Sequence, residues 1–461
     1  MIRLTLILMA FIVASNTLGD EPCGPQRLVA PPGVEANGFG ESTATNGRFW
    51  FVGDTQARVG CCTTGTVHVY EDVGGELVYT QTLVPHDAAG LDMFGTWISA
   101  DGNRVLIGSY RFRWTMTPGR GGGFVYEFDG ESWVESGRLA PPSDFEGDGG
   151  GAFVSLSEDT AALSVSDYFP RQVWIYGPTP EGWTLEQKVE SPDPMTPDEG
   201  FGYTSVLHDE WLFAPAYRDA THVRDGGSVY VFRRDSEGAF GFSQKIMPPE
   251  PYEDNREFGF WLALNGHTLA IAARRVNRDV EFQGAIFIYE LEGNQWELRQ
   301  ELTQSEPQQG DELGHRMALT GDLLLARTNR NGSDPGHDGT VLRFERDAAG
   351  EWHEVGELVP NPPSYAGFYG ISIATDGRHA IVGAPEDHAG GSSWPGAGYF
   401  FDLACNACPA DLDSDGTLTI FDFLAFANRF QDGDAQADFD GDGELTIFDF
   451  LAFQTAFDAG C

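Results

Sequence analysis

Two stretches near the C-terminus carry the clearest chemistry in the chain. Asp411 to Phe426 reads DLDSDGTLTIFDFLAF and Asp438 to Phe453 reads DFDGDGELTIFDFLAF; thirteen of sixteen positions are identical, and the copies start 27 residues apart. Oxygen-bearing side chains fall at positions 1, 3 and 5 of a twelve-residue segment: Asp411, Asp413 and Asp415 in one copy, Asp438, Asp440 and Asp442 in the other. Gly416 and Gly443 take position 6, where the chain must turn sharply. Thr417 and Glu444 offer main-chain carbonyls at position 7, and Asp422 and Asp449 close each set at position 12. Four carboxylates and a carbonyl at this spacing form a cage of hard oxygen ligands, which is the coordination calcium takes. A solvated acidic turn explains one such run; its duplication argues for two bound calcium ions.

The elements that must hold these loops follow them directly. Ile420, Phe423, Leu424 and Ala427, matched by Ile447, Phe450 and Leu451, recur at helical spacing and predict a stripe buried between the two halves. Phe421, Phe426 and Phe430, with Phe448, Phe453 and Phe457, form a second apolar set. A module from Cys408 to Cys461 is too small to cover both, so some aromatic surface is expected to stay exposed. The plainer alternative packs these rings on the rest of the chain. Each loop matches an EF-hand loop, but Asp closes it instead of Glu and no helical pattern precedes it. This duplicated half-hand resembles a dockerin, the small calcium module that docks on a cohesin. More narrowly, CPADLD at the start, TIFDFLAF in each copy and the final Gly460-Cys461 resemble the GC-type dockerin-like domain that ends secreted proteins of planctomycete-like bacteria. The resemblance implies attachment or sorting through a cohesin-like or cell-surface receptor. It places partner contacts at the Ile-Phe pairs of loop positions 10 and 11, namely Ile420, Phe421, Ile447 and Phe448.

Composition sets the compartment. Met1 to Gly19 has Arg3, an apolar run from Leu4 to Val13, then small and polar residues. That is the pattern of a secretory signal peptide, too short to remain as a membrane span. No other stretch is apolar enough to cross a bilayer, so an exported protein, extracellular or on the cell surface, is expected. A net charge of −42 repels phosphate and argues against nucleic acid as a partner. Six cysteines in an exported chain favour disulfides. Cys408 and Cys461 bracket the C-terminal module, Cys23 and Cys405 bracket the region before it, and Cys61 and Cys62 are adjacent. Spacing leaves the connectivity open.

The remaining chain repeats. Openings at Phe39, Phe94, Gly150, Phe201, Phe258, Leu313 and Tyr369 are each followed by glycine, at steps of 55, 56, 51, 57, 55 and 56 residues. Each repeat carries four strand signals. The first two are joined by a short turn such as Asn46-Gly47 or Asp101-Gly102, the third is an aromatic run such as GSVYVFR, and the fourth opens with an aromatic such as Trp296. Four antiparallel strands per repeat make a propeller blade, and seven repeats make a seven-bladed, all-β propeller. Repeat seven lacks a fourth strand, and Gln26-Arg27-Leu28, 55 residues before Gln81-Thr82-Leu83, is a fourth strand without a blade. Ring closure by this segment is expected. The Phe-Gly openings, with Gly383-Ala384-Pro385 fourteen residues after Tyr369, resemble the FG-GAP repeats of integrin-α-like propellers across about Asn37 to Leu403. Calcium is not carried over to the blades, because a two-residue turn stands where that family often places a calcium loop.

Twelve of the 28 basic residues, all arginines, fall in the loops between second and third strands. Among them Arg111, Arg113, Arg274, Arg275 and Arg327, with Trp114, would form a face for an anionic glycan, since arginine forks suit carboxylate and sulfate. Pairing with the acidic blade connections is the simpler account. No HExxH, GxSxG, P-loop or His-Cys metal spacing occurs, and the carboxylates are too abundant to single out a catalytic pair. The reading is an exported, non-enzymatic propeller, tethered through a calcium-dependent C-terminal domain. A polysaccharide-binding or polysaccharide-degrading protein and a structural surface component are the alternatives.

Overall fold

A computed structural model describes residues 25–60, 62–86, 93–110, 121–145, 150–165, 172–194, 199–250, 256–331, 338–360, 367–388, 394–403, 410, 412, 418–432, 437, 439 and 445–459. The proposed signal peptide lies outside them. The chain divides into two compact units, 25–403 and the C-terminal segment 404–461 grouped with residues 1–24. No helix among the described residues is long and apolar enough to cross a membrane.

The larger unit is a seven-bladed β-propeller of four-stranded antiparallel blades. Blade 5 shows the pattern: Phe258–Asn265, Thr268–Ala273, Ala285–Glu292 and Gln295–Leu302 pair in that order. Blade 7 is completed by the N-terminal segment. Gln26–Leu28 pairs antiparallel with Ala397–Asp402, setting Gln26 opposite Phe400 and Leu28 opposite Gly398. Arg27 reaches along the same seam to Asp387, 2.6 Å from Nη2 to Oδ1, and Asp387 is fully buried. The hairpin turns sit one residue later than the sequence indicates. Asp101 pairs with Arg104 and Asn265 with Thr268, so Gly102-Asn103 and Gly266-His267 make the turns, with the positive backbone angle at their first residue.

The repeat motif is explained by contacts between blades. The opening phenylalanines Phe39, Phe94 and Phe258 are fully buried. Phe39 bridges in parallel to Gly396 and Phe258 to Gly227, each glycine opening the third strand of the preceding blade. A Cβ on Gly227 would lie 2.1 Å from the Phe258 carbonyl oxygen, so no other residue fits there. The core is accordingly a ring of seven clusters, each shared by two successive blades. Fourth-strand tryptophans key into the blade before them: Trp133 meets Phe51 edge-on at 5.0 Å, and Trp296 meets Phe213 at 5.2 Å. Truncating such a ring costs about 3–5 kcal/mol.

Glutamines add a second inter-blade link. The Gln300 side chain donates to the Trp352 carbonyl and accepts from its N–H, both at 2.8 Å. Gln81 does the same with Trp133, Gln187 with Phe240 and Gln244 with Trp296. Gln26 makes a longer version on Leu77, carrying the link across the closing seam. Gly137 stands at the equivalent place in blade 2, and Trp183 packs where its Cβ would be.

The C-terminal unit contains helices Ile420–Asp432 and Ile447–Ala459 around a small aromatic core. Phe426 and Phe453 stack at 4.4 Å and are buried, with Phe423, Phe430, Phe450 and Phe457 packed against them. This corrects the expected burial pattern. Positions 423, 426 and 430, spaced i, i+3, i+7, form the inner stripe; Ile420 and Leu424, with Ile447 and Leu451, lie on the outer one.

Candidate functional site

First strands of successive blades touch one another around the propeller axis. What they present there is decided just after each opening Phe-Gly. In blades 2, 3 and 5 the ladder slips at that point, between Phe94 and Ile98, Gly150 and Phe153, and Phe258 and Leu262. Such bulges leave residues unpaired and re-aim their side chains. Trp97, Phe153 and Trp261 emerge from them onto an axial pocket of about 160 Å³, with Thr43, Thr204 and Arg316 also on its wall. Trp97 and Trp261 meet at 5.1 Å, Trp97 and Phe153 at 5.2 Å, and Tyr203 lies 4.7 Å from Phe153.

Arginines surround this aromatic cluster. The Arg316 guanidinium lies 4.3 Å over Trp261 and that of Arg274 lies 3.8 Å over Phe260. Burial, then the charges of Arg316, Arg327 and Arg274, drive His315 down to about 2, so its ring is neutral. Arg316 itself is lowered to about 10, first by burial and then by Arg327 and Arg274, against an opposing pull from Tyr203.

The arginines singled out in the sequence are placed unequally. Arg111, Arg113 and Trp114 lie outside the described residues. Arg274 pairs with Glu257 at 2.6 Å and Glu312 at 3.4 Å, and Arg275 pairs with Glu257 at 3.1 Å. Arg327 is buried, with Nε donating to the Tyr369 carbonyl at 2.8 Å. Sequence reasoning passed over Arg316, Trp97, Phe153 and Trp261. They occupy one repeat position, three residues past the opening, but the other blades put Ser42, Thr204 and Ser372 there, so no shared residue type marks it.

Of the ten expected calcium ligands, Asp422 and Asp449 are described; Asp411, Asp413, Asp415, Thr417, Asp438, Asp440, Asp442 and Glu444 are not. Both described carboxylates are fully buried. Asp422 accepts from the N–H groups of Leu412 and Thr419, each at 2.8 Å. Asp449 accepts from Phe439 at 2.9 Å and Thr446 at 2.6 Å. Each therefore ties the start of its loop to the helix that follows. The donor set is all oxygen and fits calcium. Ile420, Phe421, Ile447 and Phe448 are 66, 62, 63 and 64% exposed.

Two smaller features lie elsewhere in the chain. Cys62 is disulfide-bonded, while Cys23, Cys61, Cys405, Cys408 and Cys461 lie outside the described residues. His379 Nδ1 lies 3.3 Å from Asp72 and 3.4 Å from Asp376, a carboxylate–imidazole group joining blades 7 and 1.

No protein-family model matches the chain, and no curated protein matches it. Solved structures it resembles include a periplasmic gluconolactonase of Pseudomonas aeruginosa, at 14% identity, covering 80% of this chain and 99% of that one with a TM-score of 0.44. A putative 6-phosphogluconolactonase of Bacteroides fragilis is similar at 12% identity over 68% of this chain and 81% of the other, TM-score 0.43. A prolyl endopeptidase structure is similar at 15% identity over 80% of this chain and 47% of the other, TM-score 0.47. Nothing about this chain's activity follows from similarities this distant.

Proposed function

We propose that this is an exported, non-enzymatic binding protein whose propeller carries the ligand and whose C-terminal domain tethers it, in a calcium-dependent way, to a cohesin-like receptor on the cell surface. The observation behind this reading is the repeated outer stripe of the two helices. Ile420, Phe421 and Leu424 on one match Ile447, Phe448 and Leu451 on the other, exposed by about half or more. Three large apolar side chains left in water on each helix, at equivalent positions, suit a partner-binding face. The buried Asp422 and Asp449 support a calcium-ordered module. Their neighbouring carboxylates would repel one another without a cation, which couples metal binding to folding.

Calorimetry on the full chain should give two calcium equivalents, with affinity on the order of 10⁻⁴ to 10⁻³ M. Asp411→Ala and Asp438→Ala should each lose one. The wild-type protein should be retained by envelopes of the producing cell in calcium and released by a chelator. The Phe421→Asp, Phe448→Asp double variant should not be retained, although it still binds both ions. Equal retention after deletion of 404–461 would overturn the tether.

A further inference from the structure

The axial pocket has the makings of a binding site. Arg316 has settled only part of its hydrogen-bonding capacity. Its Nε donates to the Ile371 carbonyl at 3.0 Å, and its Nη1 to the His315 carbonyl at 2.8 Å and to His315 Nδ1 at 3.2 Å. Nη2 has no partner, and no carboxylate pairs with this guanidinium among the described residues. Its neighbours differ, since Arg274 and Arg275 are taken up by Glu257 and Glu312. In a chain with 70 acidic residues against 28 basic ones, a lining arginine without an acid leaves a cation facing the pocket. His315 is neutral there, so the positive charge is that of arginine alone.

Two other features define what fits. Thr43 Oγ1, on the pocket wall, is buried and has no hydrogen-bond partner among the described residues. A hydroxyl in that state is costly unless a ligand group bonds it. Trp97, Phe153 and Trp261 offer flat apolar surface beside it. The pocket, about 160 Å³, compares with ~150 Å³ for a protein cavity that takes up benzene, so it admits no more than one ring.

We propose that the axial pocket binds one anionic sugar ring, with its carboxylate or sulfate on Arg316, a ring hydroxyl on Thr43, and the ring face against Trp97, Phe153 and Trp261. The guanidinium suits either anion because both present two oxygens to its fork. The ring is a free sugar acid or the end unit of an anionic polysaccharide, since the pocket has room for one ring. This deepens the reading of the propeller as the ligand-bearing domain and leaves the C-terminal tether untouched.

The test is titration of the full chain in calcium, by calorimetry and by tryptophan fluorescence, to which Trp97 and Trp261 contribute among eleven tryptophans. Probes are glucuronate, its methyl ester, glucose 6-sulfate, glucose, benzoate and short uronate oligomers. Glucuronate or the sulfated sugar should bind, with the ester and glucose weaker by about 10-fold or more, the loss expected for one charge-assisted contact. Arg316→Gln should weaken anion binding by about 10- to 100-fold, and Arg316→Lys by less. Oligomers binding far better than monomers assign the site to a chain end; equal binding assigns it to the free sugar. No binding of any probe up to roughly 10 mM overturns the proposal. So do equal affinities for acid and ester, benzoate binding as tightly as glucuronate, or an unaffected Arg316→Gln. Where Arg316→Gln fails to fold, the acid–ester comparison in the wild type decides, and Thr43→Val should weaken both anions several-fold. Calcium-dependent retention on envelopes is measured separately, so failure of the pocket and failure of the tether are told apart.

Discussion

Asp54 shows how strongly a single position can depend on its surroundings. It ends the second strand of blade 1, fully buried, with both oxygens 3.3 Å from the Asn37 N–H. Burial pushes its carboxyl up to about 7, and the nearby Glu41, itself raised by burial, adds to this against the opposing pull of backbone N–H groups. An unfolded aspartate titrates near ~3.9. Between these values the folded protein holds a proton that the unfolded chain has lost. The contribution is complete below about pH 4 and disappears as pH rises through about 7. Asp54→Asn should therefore be near neutral at pH 4 and stabilising at pH 8, by roughly 2–4 kcal/mol in denaturant unfolding. Equal effects at both pH values would contradict the assignment. Asp219 works with the opposite sign. Burial would raise it, but hydrogen bonds from Lys245, Ser228 and Thr221 win and hold it at about 2, so its contribution is complete above about pH 4 and is lost as pH falls from there through about 2.

Among the elements, the fourth strands are tied edge to edge by glutamine. Gln300→Ala removes a two-way bond and leaves the Trp352 N–H and carbonyl without it, at a cost of about 1–3 kcal/mol. The expected signature is a loss of that size in unfolding free energy, with hydrogen exchange accelerated at Trp352 and unchanged in blade 2. Uniform acceleration would mean that the blades do not respond separately. The sequence made the glutamines visible as QTL, QKV, QKI and QEL, but not their target, which is backbone and carries no residue signature. The bulges were hidden for a related reason. A two-residue alternation and a slipped ladder read alike in Phe-Gly-Phe-Trp, and only pairing shows which ring turns to the axis. On the C-terminal helices, apolar residues nearly encircle the chain, so periodicity alone could not separate the inner Phe426 from the outer Ile420.

At the scale of the molecule, ring closure rests on a three-residue strand, its glutamine link to Leu77 and a half-buried ion pair. Arg27 meets Asp387 from a distance of 360 residues along the chain, and the Tyr399 hydroxyl donates to the same carboxylate. Arg27→Ala leaves Asp387 buried without its cation, at a cost of about 3–5 kcal/mol. It should lower the melting temperature and speed exchange at Tyr399 and Phe400 ahead of the other blades. Unchanged exchange there would show that the strand, not the ion pair, holds the seam. The number of blades and the closing segment were legible because the openings recur at nearly constant steps and one fourth strand was left over. The axial site was not, since a repeat is recognised by what its copies share and a ligand site by how they differ.

The closing strand also sets a schedule. At a synthesis rate of roughly 5–20 residues per second, the 360 residues separating Arg27 from Asp387 take about 20–70 s to appear. Gln26–Leu28 is thus among the first parts of the propeller to be made and the last to be used. A strand kept waiting that long can join any open edge nearby, in its own chain or another. This one is poorly equipped to do so: it is three residues long, has an arginine at its centre, and runs between Pro25 and the Pro31-Pro32 pair. Proline cannot donate to a ladder, so the segment cannot lengthen into a stickier strand. Its brevity costs pairing energy at the seam and keeps the unfinished chain from sealing itself in the wrong place.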